Sequence, residues 1–318
     1  MRPFCARAAI AGIITGLVIC GSVFAAPDIT WTPEGGWQKS PAAATTKAGA
    51  EFDRAFSLYV KGKYGKCIGL LDDVAKHGGE PLAEEARILV AECCLGAKDY
   101  RKAFDRFEEF IEKYPGSRLI DRAYAGEVEV AKAVLGGKRI KILGLRIWSG
   151  YAFGEKVVDK ITSRRPFSDY AREAQIALAR SYLRRNLYIE AASSYQQYVE
   201  FFREGPEMEE ALVGMGKSIY LDAQGPGYGP MPYYKADGVF RDFIRDYPAS
   251  SLAPAAKQYS SMAEDNLAEH YVMVGRWYLK MGKTASAAVY FKKVMAEYGQ
   301  TRWAGVSKTY ADALGGSE

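Results

Sequence analysis

Residues 274–299 read VGRWYLKMGKTASAAVYFKKVMAEYG, and their spacing decides the fold. Gly275 is followed three residues later by Tyr278 in a run that breaks at Gly282. A second run carries Ala287, Phe291 and Val294 and stops at Tyr298-Gly299. Apolar residues three and four apart mark one face of a helix, so the stretch predicts two helices joined by a turn. The same offsets recur upstream as Ala179, Tyr182, Ala191, Tyr195 and Tyr198, and again as Ala91, Cys94, Ala103, Phe107 and Phe110 before Tyr114-Pro115. The small residues let paired helices approach closely, the aromatics fill the gap to the next pair, and a proline cannot continue a helix.

A small residue with a large one three later, then small-large-large in a second helix, resembles the tetratricopeptide repeat. The implied fold is all-α: a tetratricopeptide-type α-solenoid of about six helix pairs with a C-terminal cap helix over 303–314, since a terminal repeat must hide its apolar face. The expected pairs are 52–59 with 64–74, 82–95 with 100–113, 119–135 with a helix holding Gly154, Val158 and Ile161, 169–183 with 188–202, 207–221 with 234–246, and 270–280 with 284–298. A further helix over 252–268 is expected to be continuous with the last pair or kinked into it. No alternating strand run is expected. Four regions follow: an export signal (1–26), a flexible linker with little regular structure (27–49), N-terminal repeats with a basic insertion (50–168), and C-terminal repeats with the cap (169–318).

The chain is 48% hydrophobic, ample for a sizeable core, and its net charge of +5 is too mild to argue for nucleic acid. Arg2 and Arg7, the apolar run Ala8–Val23 and Val23-Phe24-Ala25 have the order of a cleaved export signal. The run is shorter than the roughly 20 residues that span a bilayer. Leu17-Val18-Ile19-Cys20 also has the shape of a bacterial lipobox, with Ile19 where a small residue belongs, so lipidation at Cys20 is the alternative. Past the signal lie Cys67, Cys93 and Cys94. They are read as buried thiols, with a bridge from Cys67 to Cys93 or Cys94 as the alternative in an oxidising compartment.

Catalysis and cofactors are not expected. Two histidines and no CxxC motif argue against zinc and against a nucleophilic triad. Gly225-Pro226-Gly227-Tyr228-Gly229-Pro230 follows no strand, and its prolines lack the amides a phosphate needs, so it reads as a connecting loop. Glu84-Glu85 and Glu209-Glu210 fall at helix starts, where carboxylates favour the helix dipole and water.

Two places suit a partner. The first is the inner groove, lined by the first helix of each pair. Counting from the small residue at position eight, position five is Phe52, Ile88, Ile176 and Val272, and position nine is Phe56, Glu92, Arg180 and Arg276. Tyr59 joins the aromatic N-terminal end, and Arg184 and Lys280 stand at position thirteen. Such a groove suits an extended peptide whose carboxylates meet arginine forks, with solvated arginines as the plainer reading. The second is the insertion from Lys138 to Trp148, which alternates basic and apolar residues. It reads either as a packed crossover or as a dock for an acidic partner or anionic lipid.

From residue 169 onward the phrasing is more specific. It runs Tyr182-Leu183-Arg184-Arg185-x-x-Tyr188-x-x-Ala191, then Phe240-x-x-Phe243-Ile244-x-x-Tyr247-Pro248-x-Ser250, then Leu267-Ala268-Glu269. Val274-x-x-Trp277-Tyr278-Leu279-Lys280-x-Gly282 and Ala287-Ala288-x-x-Phe291-x-x-Val294 complete it. This resembles the BamD family of outer-membrane assembly lipoproteins. The resemblance implies a non-enzymatic periplasmic scaffold at the inner face of the outer membrane, held there peripherally or by a lipid anchor. Its implied partners are outer-membrane assembly subunits and unfolded client peptides. A periplasmic tetratricopeptide adaptor of envelope or cell-division machinery is the alternative.

Overall fold

The structure, a computed structural model, describes residues 29–32, 36–39, 46–80, 82–142, 145–203 and 205–315. Six helix pairs follow one another: α1 (Lys47–Val60) with α2 (Tyr64–His77), α3 (Leu82–Gly96) with α4 (Tyr100–Lys113), α5 (Ile120–Leu135) with α6 (Tyr151–Arg164), α7 (Asp169–Arg184) with α8 (Tyr188–Phe201), α9 (Met208–Asp222) with α10 (Met231–Asp246), and α11 (Ala253–Lys280) with α12 (Thr284–Glu297). Helix α13 (Arg302–Gly315) packs on α11 and α12 and closes the array. Second helices pack on the first helix of the next pair, and first helices touch one another along the chain. The protein is therefore a tetratricopeptide-type α-solenoid. The helix expected over 252–268 is continuous with the first helix of the last pair, and together they form one 28-residue helix, α11. Pro254 lies in its first turn, where a missing N–H costs no hydrogen bond.

The turn inside a pair has one design in five of the six pairs. The last turn of the first helix tightens so that two N–H groups fold back on its free carbonyls: Gly62 N to Tyr59 O and Lys63 N to Leu58 O, repeated at Lys98 and Asp99, Gly137 and Lys138, Asn186 and Leu187, and Gly282 and Lys283; α9 instead ends in extended backbone at Ala223. The repeated turn is a Schellman closure, which needs a left-handed residue just past the helix. Gly62, Gly137 and Gly282 take that conformation without strain, whereas Lys98 and Asn186 hold it at φ 57°.

Between pairs, aromatics nest on glycines. A Cβ on Gly126 of α5 would stand 2.2 Å from Cζ of Phe107 on α4, and one on Gly214 of α9 would stand 2.5 Å from Cζ of Tyr195 on α8. The Tyr-Pro-x-Ser phrases lock the same junctions. Ser250 accepts from Leu252 N (3.1 Å) at the start of α11 and donates to Glu209 of α9 (2.5 Å). Ser117 likewise accepts from Leu119 N and donates to Glu84 of α3.

Two β-hairpins depart from expectation. Strands β1 (Ile29–Thr32) and β2 (Gly36–Lys39) pair antiparallel with Trp31 opposite Trp37, inside the segment expected to lack regular structure. Isoleucine, threonine and tryptophan favour strands. Strands β3 (Ile140–Ile142) and β4 (Leu145–Trp148) form an irregular antiparallel pair inside the basic insertion. The alternation of basic and apolar residues there is a strand signal, contrary to the expectation that none is present.

Candidate functional site

The two repeat positions expected to line the groove differ in exposure. Phe52, Ile88, Ile176 and Val272 at position five are not groove residues: each is at most 2% exposed, in the core. At about 100° per residue, position five stands some 40° behind position nine, on the side the neighbouring second helices cover. Position nine points out. Phe56 and Glu92 are half-buried there, and Arg276 is exposed.

Tyr59 and Glu92 meet in a cavity of about 420 Å³ whose walls also include Tyr64, Leu95, Phe107 and Arg122. The Phe56 and Tyr59 rings stack at 6.1 Å, and Tyr59 and Tyr64 stand edge to face at 6.0 Å. Tyr59 Oη donates to Glu92 Oε2 (3.4 Å), while the Arg122 guanidinium pairs with Glu92 Oε1. Burial, then the Glu92 carboxylate, pushes the Tyr59 phenol well above its usual range, so it stays a neutral donor. An apolar pit between two tyrosine rings, rimmed by a carboxylate and a guanidinium, suits a flat apolar side chain with polar neighbours.

Further along, the groove neutralises itself. Lys132 pairs with Glu173 (2.5 Å), Arg172 with Glu207 (2.5 Å) and Arg180 with Glu210 (2.5 Å), each linking first helices of adjacent pairs or the turn leading into one. Arg180 is therefore spoken for within the chain. Arg184 is exposed, and its Nη2 donates to the Leu135 carbonyl at the end of α5 (2.8 Å). Glu85, read as a solvated capping charge, is 1% exposed and held by Arg118 at 2.5 Å. Burial pushes its carboxyl up to about 7.

The C-terminal end differs. Among the described residues, no carboxylate lies within ion-pair distance of Arg276 or Lys280, both exposed on α11. Beside them Met273, Trp277 and Met281 are 44%, 53% and 56% exposed. At about 100° per residue, the five side chains cover an arc of roughly 140° on one face of α11. The loop before α10 borders this face: Pro226 O bonds His270 Nδ1 at 2.6 Å, Gly227 lies against Met273, and Tyr228 is 80% exposed. Sequence reasoning found the two cations and missed the apolar stripe. Its signal was the spacing of Met273, Trp277 and Met281, four residues apart and off the core face.

The basic insertion supplies a third surface. Ile140 is buried, and Lys141 Nζ lies 3.7 Å from Asp99 Oδ2, so one of its cations is paired internally. A cavity of about 390 Å³ opens beside it, with Phe104 and Phe153 in its walls and Arg101, Lys156 and Lys160 around it. Cys20 lies outside the described residues. Among those described, no helix is long and apolar enough to cross a membrane.

Comparison with known proteins bears on the C-terminal half above all. The chain is 23% identical over 142 residues to the outer membrane protein assembly factor BamD of Caulobacter vibrioides, covering 45% of this chain and 47% of that one. It is 24% identical over 165 residues to BamD of Neisseria gonorrhoeae, covering 49% and 62%. The chain thus spans about half the length of the curated relatives it matches. A crystal structure of a tetratricopeptide repeat protein from Parabacteroides merdae is similar at a TM-score of 0.39 and 12% identity, covering 84% of this chain and 98% of that one. Residues 85–117, which form the second helix pair, match the tetratricopeptide repeat profile. Residues 149–309, half of the chain and the part that carries the exposed stripe of α11, match the outer membrane lipoprotein profile YfiO, and the chain belongs to that family.

Proposed function

We propose that this protein is a non-catalytic scaffold that holds protein partners during assembly of outer-membrane β-barrels, from the periplasmic side of the outer membrane. The observation that carries the reading is the face of α11. Among the described residues no carboxylate pairs with Arg276 or Lys280, and Met273, Trp277 and Met281 stand exposed beside them. Soluble proteins seldom leave such clustered apolar surface uncovered without a use, and tryptophan with arginine is the pairing that dominates interface energetics. The fitting partner is a folded protein surface with apolar knobs and acidic residues. The curated relatives, named as outer membrane protein assembly factors, support the context.

The cavity at Tyr59, Tyr64 and Glu92 is a second contact point, suited to an aromatic side chain of an extended client segment. Attachment to the membrane is by lipid at Cys20 or through the partner.

The test is a pull-down from envelope extracts with the wild-type chain and with a Trp277→Ala, Arg276→Glu, Lys280→Glu variant. A large β-barrel protein recovered by the wild type and lost from the variant, at unchanged helix content, supports the reading. Recovery of peptidoglycan-linked partners instead would favour an adaptor of the envelope or division machinery. Equal recovery by both proteins removes the α11 face from the argument.

A further inference from the structure

Buried thiols gather where the first helix pair meets the second. Cys67 on α2 and Cys93 on α3 are both 0% exposed, and their sulfurs are 3.2 Å apart. The Cys93 thiol donates to the Cys67 sulfur, and the Cys67 thiol donates to the Ala55 carbonyl of α1 at 3.1 Å. Cys94 is equally buried but turned about 100° away around α3. The two facing sulfurs have nothing between them. Reaching the bonded distance of about 2.05 Å needs a shift of roughly one ångström, within the reach of side-chain rotation.

We propose that Cys67 and Cys93 become a disulfide in an oxidising compartment, and that this bond staples the first helix pair to the array. In the step, the thiolate of one cysteine attacks a small-molecule or protein disulfide, forming a mixed disulfide and expelling one thiol. The thiolate of the other then attacks the mixed disulfide and expels the second thiol. Two electrons and two protons leave the chain and reside on the two expelled thiols.

The location gives the bond its consequence. A terminal repeat is held by one neighbour only, so it is the part of a solenoid that opens first. The cavity described above straddles the same junction: Tyr59 and Tyr64 come from α1 and α2, while Glu92, Leu95 and Gly96 come from α3. A bond between Cys67 and Cys93 fixes both walls of that cavity relative to each other. Because both sulfurs are sealed from solvent, oxidation is fast during refolding and slow in the closed protein.

The experiment refolds the purified chain in a mixture of oxidised and reduced glutathione, alkylates the remaining thiols in denaturant, and maps the peptides by mass spectrometry. The expected result is a Cys67–Cys93 linked peptide with Cys94 alkylated. The oxidised protein should melt roughly 5 °C or more above the reduced one. Amide exchange in α1 and α2 should slow, and dithiothreitol should reverse both effects. A Cys94→Ala variant should keep the link and the shift. All three thiols alkylated, a link through Cys94, or a bond that leaves melting and exchange unchanged would each overturn the proposal.

Discussion

Arg180 on α7 grips Glu210 on α9 through two parallel bonds, Nε to Oε1 at 2.6 Å and Nη2 to Oε2 at 2.5 Å. Arg276 holds the same repeat position two pairs along and has no such partner among the described residues. The difference lies in what the next helix presents: α9 brings Glu210 to Arg180, whereas α13, which follows the last pair, brings no carboxylate to Arg276. One repeat position therefore serves cohesion in the middle of the array and leaves a cation free at its end.

Charge reversal should separate those two roles. Arg180→Glu loses the fork and sets like charges together. Since both side chains are about two-fifths exposed, the expected loss of stability is modest, about 1 kcal/mol. Adding Glu210→Arg should recover it. Arg276→Glu should leave the urea midpoint unchanged while reducing partner capture. A midpoint that moves with Arg276→Glu, or stays fixed with Arg180→Glu, contradicts this division.

Glycines in helices should split by what a methyl group would meet. Gly238 on α10 has nothing within 4 Å of an added Cβ, so Gly238→Ala should stabilise by about 0.5–1 kcal/mol through helix propensity. At Gly126 the same methyl would stand 2.2 Å from the fully buried Phe107 ring. Overpacking there outweighs propensity, and Gly126→Ala should cost about 2 kcal/mol or more. Chemical denaturation of the two variants should give shifts of opposite sign.

The left-handed turn residues give a third comparison. Lys98 holds φ 57° where Gly62, Gly137 and Gly282 stand in equivalent turns. Lys98→Gly should stabilise by about 0.5–1 kcal/mol by relieving that conformation. Asn186→Gly should gain less, because asparagine tolerates the region better. Equal and negligible changes at both positions would show that backbone strain there is already relieved.

The helix pairs were legible because repeat spacing is a local property: Ala91 with Cys94, or Ala287 with Phe291, can be read without knowing what lies across the core. The groove was harder. Phe52 and Phe56 differ only in which side of α1 the next helix covers, which position in a sequence does not state. Buried acids were harder still, since Glu85 of α3 meets Arg118 only past α4, and Glu127 of α5 meets Arg164 at the far end of α6, past the β3–β4 insertion. Glu84-Glu85 at a helix start has a sufficient local explanation, and that explanation hid the burial of Glu85. The β3–β4 hairpin was visible as alternation over Arg139-Ile140-Lys141-Ile142, but it is too short to stand out against helices on both sides.

Glu127 supplies a pH test. It is 0% exposed on α5, and Arg164 of α6 bridges it to Glu108 of α4, which also pairs with Lys160. Burial, reinforced by the neighbouring Glu108 carboxylate, pushes Glu127 up to about 9. Burial acts on Glu108 as well, yet hydrogen bonds from Glu127, Lys160 and Arg164 hold it at about 2. One proton thus serves both acids. An unfolded glutamate ionises near 4.5, so between that pH and about 9 the folded chain binds one proton more than the unfolded chain. Stability from this group is complete below the unfolded value and is lost as pH rises toward 9. Glu127→Gln keeps the shape and donates to Glu108 without titrating. Its urea midpoint should gain on the wild type steadily from pH 5 to pH 9. Glu127→Ala should lose at every pH, because it leaves a cavity and strips Arg164 of a partner. A Gln variant that tracks the wild type across the range would mean that no proton is shared.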